Sequence, residues 1–140
     1  MLSHMGKEIF IKAMAEAIPM YIMSIFKILN TLYDEMTSMV RNFWWGQMDG
    51  KTKMAWLSWD KVCTSKEEGG LGFRDFKAFN FALLAKQGWR LQTYTSSLVH
   101  RVLKARYFLN SDFLGAVLGS LPSFAWRSMM VAQKNCQTRL

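Results

Sequence analysis

The chain has 140 residues, of which 51% are hydrophobic and 14% aromatic, and it carries eighteen Lys and Arg residues against ten Asp and Glu. A chain of this length can bury one small core, and its apolar content argues against intrinsic disorder, while two prolines and eleven methionines argue against Pro-rich, collagen-like and low-complexity classes. The formal charge of +8 favours an anionic partner, either nucleic acid or a membrane surface.

The cysteines and histidines are too few and too scattered to form a disulfide framework or a zinc site. Cys63 and Cys136 are each isolated in sequence from His4 and His100, whereas zinc needs four ligands at short spacings. We therefore expect no metal and a reduced, intracellular environment. The uncharged run from residue 17 to residue 26 is about half the length of a membrane span, so we predict no transmembrane segment and no secretory signal.

Helical periodicity dominates the N-terminal part of the chain. Apolar residues from Ile9 to Met20 recur at helical spacing, and Pro19 should kink or restart that helix because it lacks a backbone N–H. Asn30 or Thr31 is predicted to cap a second helix that ends near Gly46. The predicted apolar stripe of this second helix consists of Leu32, Met36, Met39, Val40 and Phe43.

The middle of the chain combines a short helix with a loop. Only the segment from Lys53 to Leu57 alternates in the manner of a strand, and Ser58 is predicted to cap a short helix through Cys63. The glycines and charged residues from Thr64 to Gly72 predict a loop.

Three further helices are predicted after the loop. Asp75 should cap a helix from Phe76 to about Thr93, a second helix should run from Ser97 to about Phe108, and a last one should begin near Ser123. In the first of these, an apolar face flanked by Phe81 and Trp89 predicts substantial burial. That face consists of Phe76, Phe79, Leu83, Leu84 and Leu91. The sequence thus predicts a mainly α fold, a single small helical domain over residues 1–140 with long loops and at most a minor strand pair.

Net charge rises along the chain, from −1 over residues 1–50 to +4 over 51–100 and +5 over 101–140. On the helix from Ser97, we predict that His100, Arg101 and Lys104 lie together on the face opposite the core. The predicted core face consists of Leu98, Val99, Val102 and Leu103, with Arg106 at the border. Upstream, lysines surround Trp56 and Trp59.

No catalytic constellation is recognisable. The acid pairs Asp34-Glu35 and Glu67-Glu68 suit a helix N-terminus and a solvated loop, and the glycines from Gly69 to Gly72 suit a sharp turn. Basic side chains near aromatic ones could instead bind phosphates while the rings stack on unpaired bases. The candidate nucleic-acid-binding residues are Lys51, Lys53, Lys86, Arg90, Arg101, Lys104 and Arg106. The alternative is that these charges solvate helices and that the tryptophans belong to the core, the interpretation we favour for the tryptophans.

Several strings of residues point to one family. They include Ala17 to Ser24, Phe43 to Gly46, Trp59 to Cys63, Lys66 to Arg74, Ala82 to Gln87, Leu103 to Phe108 and Trp126 to Ser128. In this order, over about residues 2 to 129, the chain resembles the segment just downstream of the polymerase core in plant LINE-type, non-LTR retrotransposon reverse transcriptases. The resemblance ends before the tail from Val131 to Leu140, and Leu109 stands where the family has proline.

This resemblance implies a mostly helical thumb and connector region between the polymerase palm and a zinc-binding or RNase H region. In such polymerases the thumb grips the template and primer, so the implied partner is RNA or an RNA:DNA duplex. The family's Tyr/Phe-Ala-Asp-Asp motif, which holds two Mg²⁺ ions, is absent from this sequence. We therefore expect a non-catalytic fragment with no cofactor and no small-molecule substrate. An inert relic of a retroelement and a peripheral membrane-associated protein are the alternatives.

Overall fold

The computed structural model describes residues 2–46 and 54–137, and within these ranges the chain forms seven α-helices and no strand. This confirms the prediction of a mainly α fold; residues 54–57, where weak alternation had left room for a strand, have no regular structure. The helices are α1 (His4–Phe10), α2 (Met20–Met23), α3 (Asn30–Trp45), α4 (Trp59–Cys63), α5 (Phe76–Thr93), α6 (Leu98–Tyr107) and α7 (Phe124–Gln137). Across the described ranges, no helix combines the length and apolarity needed to cross a bilayer.

The chain divides into two compact units. The first unit comprises Met1–Tyr21 and Ile28–Phe79, and the second unit comprises Ile22–Lys27 and Asn80–Leu140. The chain therefore passes between the units three times, the last time within α5.

The first helical segment breaks where the sequence predicts it to break. Ser3 Oγ caps α1 by accepting a hydrogen bond from the Gly6 N–H at 3.2 Å, and the segment continues as a π-helical turn over Ile11–Ala15. Helical structure begins again at Met20, directly after Pro19, because proline cannot donate the backbone hydrogen bond that would continue the earlier helix.

The N-cap and the buried face of helix α3 both differ from the prediction. Its N-cap is Leu29, without a side-chain cap, so the predicted caps Asn30 and Thr31 are wrong. Its buried side chains are Tyr33, Val40 and Trp44, whereas the predicted stripe members Leu32 and Met39 are exposed.

The inward position of Trp44 accounts for this difference. Its ring packs edge-on against the rings of Phe73 and His4, with ring centroids 5.2 Å and 5.3 Å apart, respectively. Large aromatic surfaces gain more from burial than Leu or Met, so they set the rotation of the helix. Gly46 ends α3 as predicted, in a left-handed conformation with φ of 72°.

Buried and half-buried charged groups hold the loop of the first unit. The Glu16 carboxylate is 4% exposed and accepts a hydrogen bond from the Arg74 backbone N–H at 2.9 Å. The Lys12 ammonium donates to the Leu71 carbonyl at 2.7 Å. Within the loop, a Cβ at Gly70 would lie 2.6 Å from the Lys61 carbonyl oxygen, so only glycine fits this close turn.

Helix α5 has the predicted boundaries, and Asp75 Oδ1 caps it by accepting from the Lys77 and Ala78 N–H groups at 2.9 and 3.3 Å. In the second unit, Gly88 faces Phe113 so closely that a Cβ would lie 2.9 Å from a ring carbon. This approach fixes the rotation of α5 and leaves the neighbouring Trp89 66% exposed. The prediction that Trp89 is buried is therefore wrong.

Asn80 is the buried polar residue that joins α5 to the segment Ile22–Lys27 of the second unit. Its side chain is fully buried, and its amide Nδ2 donates to the carbonyl oxygens of Met23 at 2.6 Å and Phe26 at 2.9 Å. The same segment is held by α7, since the Lys27 N–H donates to Ser128 Oγ at 2.8 Å.

Trp126 of α7 lies at the centre of the second unit's core. Its side chain is fully buried; it stacks on Tyr107 with ring centroids 4.7 Å apart and planes 4° apart, and on Phe108 at 5.7 Å. Phe113 meets it edge-on at 6.0 Å. The buried cluster consists of Leu91, Phe108, Phe113, Ala116, Trp126, Met129 and Met130.

Replacement of Asn80 by alanine should destabilise the protein by about 2–3 kcal/mol, because the buried Met23 carbonyl and the half-buried Phe26 carbonyl lose their donor. Urea unfolding followed by circular dichroism measures the free energy of unfolding. Gln92→Ala, which removes an exposed amide from the same helix, is the control and should change it by less than about 0.5 kcal/mol. Equal effects of the two substitutions would contradict the anchoring role of Asn80.

Candidate nucleic-acid interface

The two units differ sharply in charge. The second unit contains nine Lys and Arg residues and a single acidic residue, Asp112, which gives it a net charge of +8. The first unit contains nine residues of each sign and is neutral. The whole net charge of the chain therefore resides in the second unit.

Helix α5 presents a basic and aromatic surface in the second unit. Leu84, Gly88 and Leu91 are buried, so Lys86 and Arg90 are both exposed, one turn apart as predicted. The exposed indole of Trp89 lies between them in sequence, three residues after Lys86. The three-residue spacing puts the flat aromatic side chain on the same side of the helix as Lys86.

Helix α6 is rotated relative to its predicted orientation. His100 is only 7% exposed, whereas Leu98 is 72% exposed and Val102 is 57% exposed. The prediction that His100 lies with Arg101 and Lys104, and that Leu98, Val99 and Val102 face the core, is therefore wrong; only Leu103 of the predicted core face is half-buried.

A hydrogen bond explains why His100, and not Val102 of the predicted core face, lies in the interior. The Nδ1 of His100 lies 2.6 Å from the Leu91 carbonyl oxygen, and since a carbonyl only accepts, Nδ1 carries the proton. The ring also meets Phe108 edge-on at 5.7 Å. A satisfied imidazole therefore joins the start of α6 to the end of α5, and the cations of α6 stay on the solvent side.

The remaining contacts of α6 fix its two ends. Ser97 Oγ accepts from the His100 N–H at 3.2 Å and caps the helix. At the other end, Tyr107 Oη accepts from the Ser123 N–H at 3.0 Å, and hydrogen bonds with the side chain and backbone of Ser123 hold the pKa of the phenol below its usual range. The Arg106 guanidinium lies 5.5 Å from the centre of the Tyr107 ring.

The basic side chains of α5 and α6 make no ion pair within the described ranges. The ion pairs of the described residues lie in the first unit. Lys12 Nζ and Lys66 Nζ are each 2.9 Å from Glu8 Oε1, and Arg74 Nε is 3.5 Å from Glu16 Oε2. Lys12 and then Lys66 hold the pKa of Glu8 below its usual range. Five exposed cations of α5 and α6 that lie in the second unit have no carboxylate partner: Lys86, Arg90, Arg101, Lys104 and Arg106.

Two of the predicted binding residues, Lys51 and Lys53, lie outside the described residues. The tryptophans near them belong to the first unit: Trp56 is 79% exposed, and Trp59 is half-buried against Phe73 at 5.8 Å. The core interpretation is thus wrong for Trp56.

A cavity of about 290 Å³ lies beside Arg90 in the second unit. Leu91 and Met129, both buried, are among its lining residues, and so is the exposed Tyr94. The remaining lining residues are Gln87, Ser96, Ser97 and Val99. This cavity could not be predicted from local sequence patterns, because its walls come from the end of α5, the following turn, the start of α6 and the middle of α7.

The part of the chain that the structure describes has neither a metal-binding cluster nor a reactive thiol. It contains no group of three or more His, Cys, Asp or Glu side chains placed to hold a metal ion. Burial raises the pKa of the Cys63 thiol to about 11, so this thiol is protonated at neutral pH.

The chain is 44% identical over 115 residues to "Uncharacterized mitochondrial protein AtMg00310" of Arabidopsis thaliana, an alignment that covers 81% of this chain and 75% of that protein. The chain belongs to the family of this mitochondrial protein. It is also 32% identical over 136 residues to "Putative ribonuclease H protein At1g65750" of the same plant. No family model matches the chain, and no solved structure matches it.

The two alignments differ in what they cover. The second one includes 96% of this chain but only 22% of the ribonuclease H protein, so the chain corresponds to a small part of that relative. Both relatives are plant proteins, and with the motifs described above they are consistent with a retroelement relic.

Replacement of His100 by alanine should lower the free energy of unfolding by about 1–3 kcal/mol, because the Leu91 carbonyl loses its donor and a cavity forms beside Phe108. Arg101→Ala, at the next position on the exposed side, should change it by less than about 0.5 kcal/mol. Thermal and urea unfolding of the two variants measure the difference. A larger loss at Arg101 than at His100 would show that the predicted orientation of α6, and not the observed one, is correct.

Proposed function

We propose that this chain is a non-catalytic fragment derived from the post-palm, thumb and connector region of a plant non-LTR retrotransposon reverse transcriptase. We further propose that its second unit binds RNA or an RNA:DNA duplex without sequence preference. The observation that carries the binding proposal is the concentration of the entire net charge of +8 in the second unit.

The comparisons support a retroelement origin in two ways. Nearly the whole chain aligns with about a fifth of a protein named for ribonuclease H, an activity directed at RNA paired with DNA. The same region also exists in a mitochondrial protein of which it forms three quarters. A segment that occurs both within a long chain and almost alone is what excision from a longer element produces.

The placement of the cations supports phosphate binding. Lys86 and Arg90 on α5 and Arg101, Lys104 and Arg106 on α6 are exposed and have no carboxylate to compete with a phosphate. Each phosphate that they neutralise releases condensed counterions, a gain that does not depend on base sequence. Arginine adds bidentate hydrogen bonds to phosphate oxygens.

The absence of catalysis is inferred from the sequence. Nucleotidyl transfer in the resembled family requires paired aspartates that hold two metal ions, and the Ala-Asp-Asp string is absent from the chain.

An inert relic is the second candidate, and exposed apolar side chains favour it. In the first unit Met5 is 73% exposed, Ile18 72% and Tyr21 77%, as expected of a piece that has lost neighbouring protein on which it packed. An inert chain would bind RNA equally weakly in its unmodified form and in both triple variants of the experiment below.

Binding by the second unit predicts a strong salt dependence that is lost in a specific variant. The triple variant Lys86→Glu, Arg101→Glu and Lys104→Glu should bind RNA at least about tenfold more weakly at low salt. Its slope of log affinity against log salt should be shallower by about two, since three phosphate contacts are lost. Fluorescence anisotropy with labelled RNA and RNA:DNA duplexes measures both quantities.

The matched control is Arg41→Glu, Lys61→Glu and Lys77→Glu, which changes the net charge by the same amount at three exposed positions of the first unit. It should retain most of the affinity. Equal losses of RNA affinity in the two triple variants would indicate that only total charge matters. If the unmodified protein floated with anionic liposomes but did not bind RNA, the membrane alternative would be favoured.

A further inference from the structure

We propose that the cavity beside Arg90 receives one unpaired nucleobase, so that the second unit binds single-stranded RNA in preference to a duplex. This inference rests on the proposed function and identifies a base-binding site for it. The cavity's lining includes the polar and aromatic side chains of Arg90 and Tyr94 and the apolar side chains of Leu91 and Met129.

The composition of the cavity suits a base. Small-molecule sites are concave and mostly apolar, with a few polar groups that fix orientation. Here Leu91 and Met129 are 3% and 8% exposed and provide buried apolar surface, while the amide of Gln87 and the hydroxyl of Ser96 can hydrogen-bond the edge of a base. Because these groups are short and adaptable, they would not select one base strongly.

The size of the cavity limits the occupant. A volume of about 290 Å³ lies at the lower end of the range for ligand sites. It is enough for one planar ring system and too little for two stacked bases. The occupant is therefore a single base that has left its neighbours, which happens readily in single strands and costs unpairing energy in a duplex.

Residues at and beside the cavity can contact the rest of the nucleotide. Tyr94 is 63% exposed, so one face of its ring is available for stacking. The guanidinium of Arg90 lines the same cavity and makes no ion pair within the described ranges, so it can hold the attached phosphate. Trp89, exposed and adjacent in sequence, offers a stacking surface for a further base.

A matched pair of variants on α6 tests the cavity. Val99 lines the cavity and Val102 does not, yet both are 57% exposed. Val99→Trp and Val102→Trp therefore add the same indole at the same exposure, and any general gain from stacking is common to both. Only Val99→Trp fills the cavity. Thermal melts establish that both variants fold.

Affinities are measured at low salt for a single-stranded RNA of about 15 nucleotides and for a duplex of the same length. We expect the unmodified protein to prefer the single strand by about tenfold, and Val99→Trp to bind that strand about tenfold more weakly than Val102→Trp does. Duplex affinity should be the same in both variants. Tyr94→Ala should lower single-strand affinity in the same selective way.

The outcomes separate the two proposals. Equal single-strand affinities of Val99→Trp and Val102→Trp would overturn the base-binding cavity, and salt-dependent binding of either RNA would still support the proposed function. Failure of the unmodified protein to bind either RNA at low salt would overturn the proposed function and this inference together.

Discussion

The burial of Trp126 is the interaction on which the second unit depends. Tyr107 and Phe108 stack on its ring and Phe113 meets its edge, so the C-terminal end of α6 and the turn after it pack around one indole. The indole N–H is buried without an acceptor among the described residues, a loss of about 1–3 kcal/mol. The surrounding aromatic surface outweighs that loss, since a buried aromatic ring gains several kcal/mol from transfer and contact.

This packing decides which face of α6 meets solvent. With Tyr107 held against Trp126, the residue two turns earlier on the same side is His100, and its imidazole finds the Leu91 carbonyl. Arg101 and Lys104 are consequently on the solvent side, as is the apolar Val102. Five exposed cations without carboxylate partners repel one another and destabilise the free protein. Phosphate binding at this surface, as proposed above, would relieve that repulsion.

The sequence predicts the ends of the helices better than it predicts which of their faces are buried, and particular residues show why. Local chemistry determines where α5 and α7 begin, through Asp75 and Ser123, and where α3 ends, at Gly46. Orientation depends on tertiary partners that local patterns do not contain. Hydropathy favours Val102 over His100 as a core residue, but the carbonyl that satisfies His100 belongs to another helix. Trp89 is exposed because Gly88 approaches Phe113, a contact 25 residues away in sequence. The candidate cations could be chosen from charge alone, whereas the cavity could not.

The same physical reasoning separates the two units as candidates for anion binding. In the first unit some basic groups already have internal acceptors: Lys12 contacts Glu8 and the Leu71 carbonyl, and Arg74 contacts Glu16. A phosphate would have to displace those acceptors, and the net charge there is zero. The exposed Arg41, Lys61 and Lys77 of that unit are offset by its nine acidic residues. In the second unit a phosphate would displace only water from the exposed cations of α5 and α6, and Asp112 is the one acidic side chain in the unit's sequence. Each unit has nine basic residues, but nine of the ten acidic residues lie in the first unit, so we expect the second unit to bind anions more tightly.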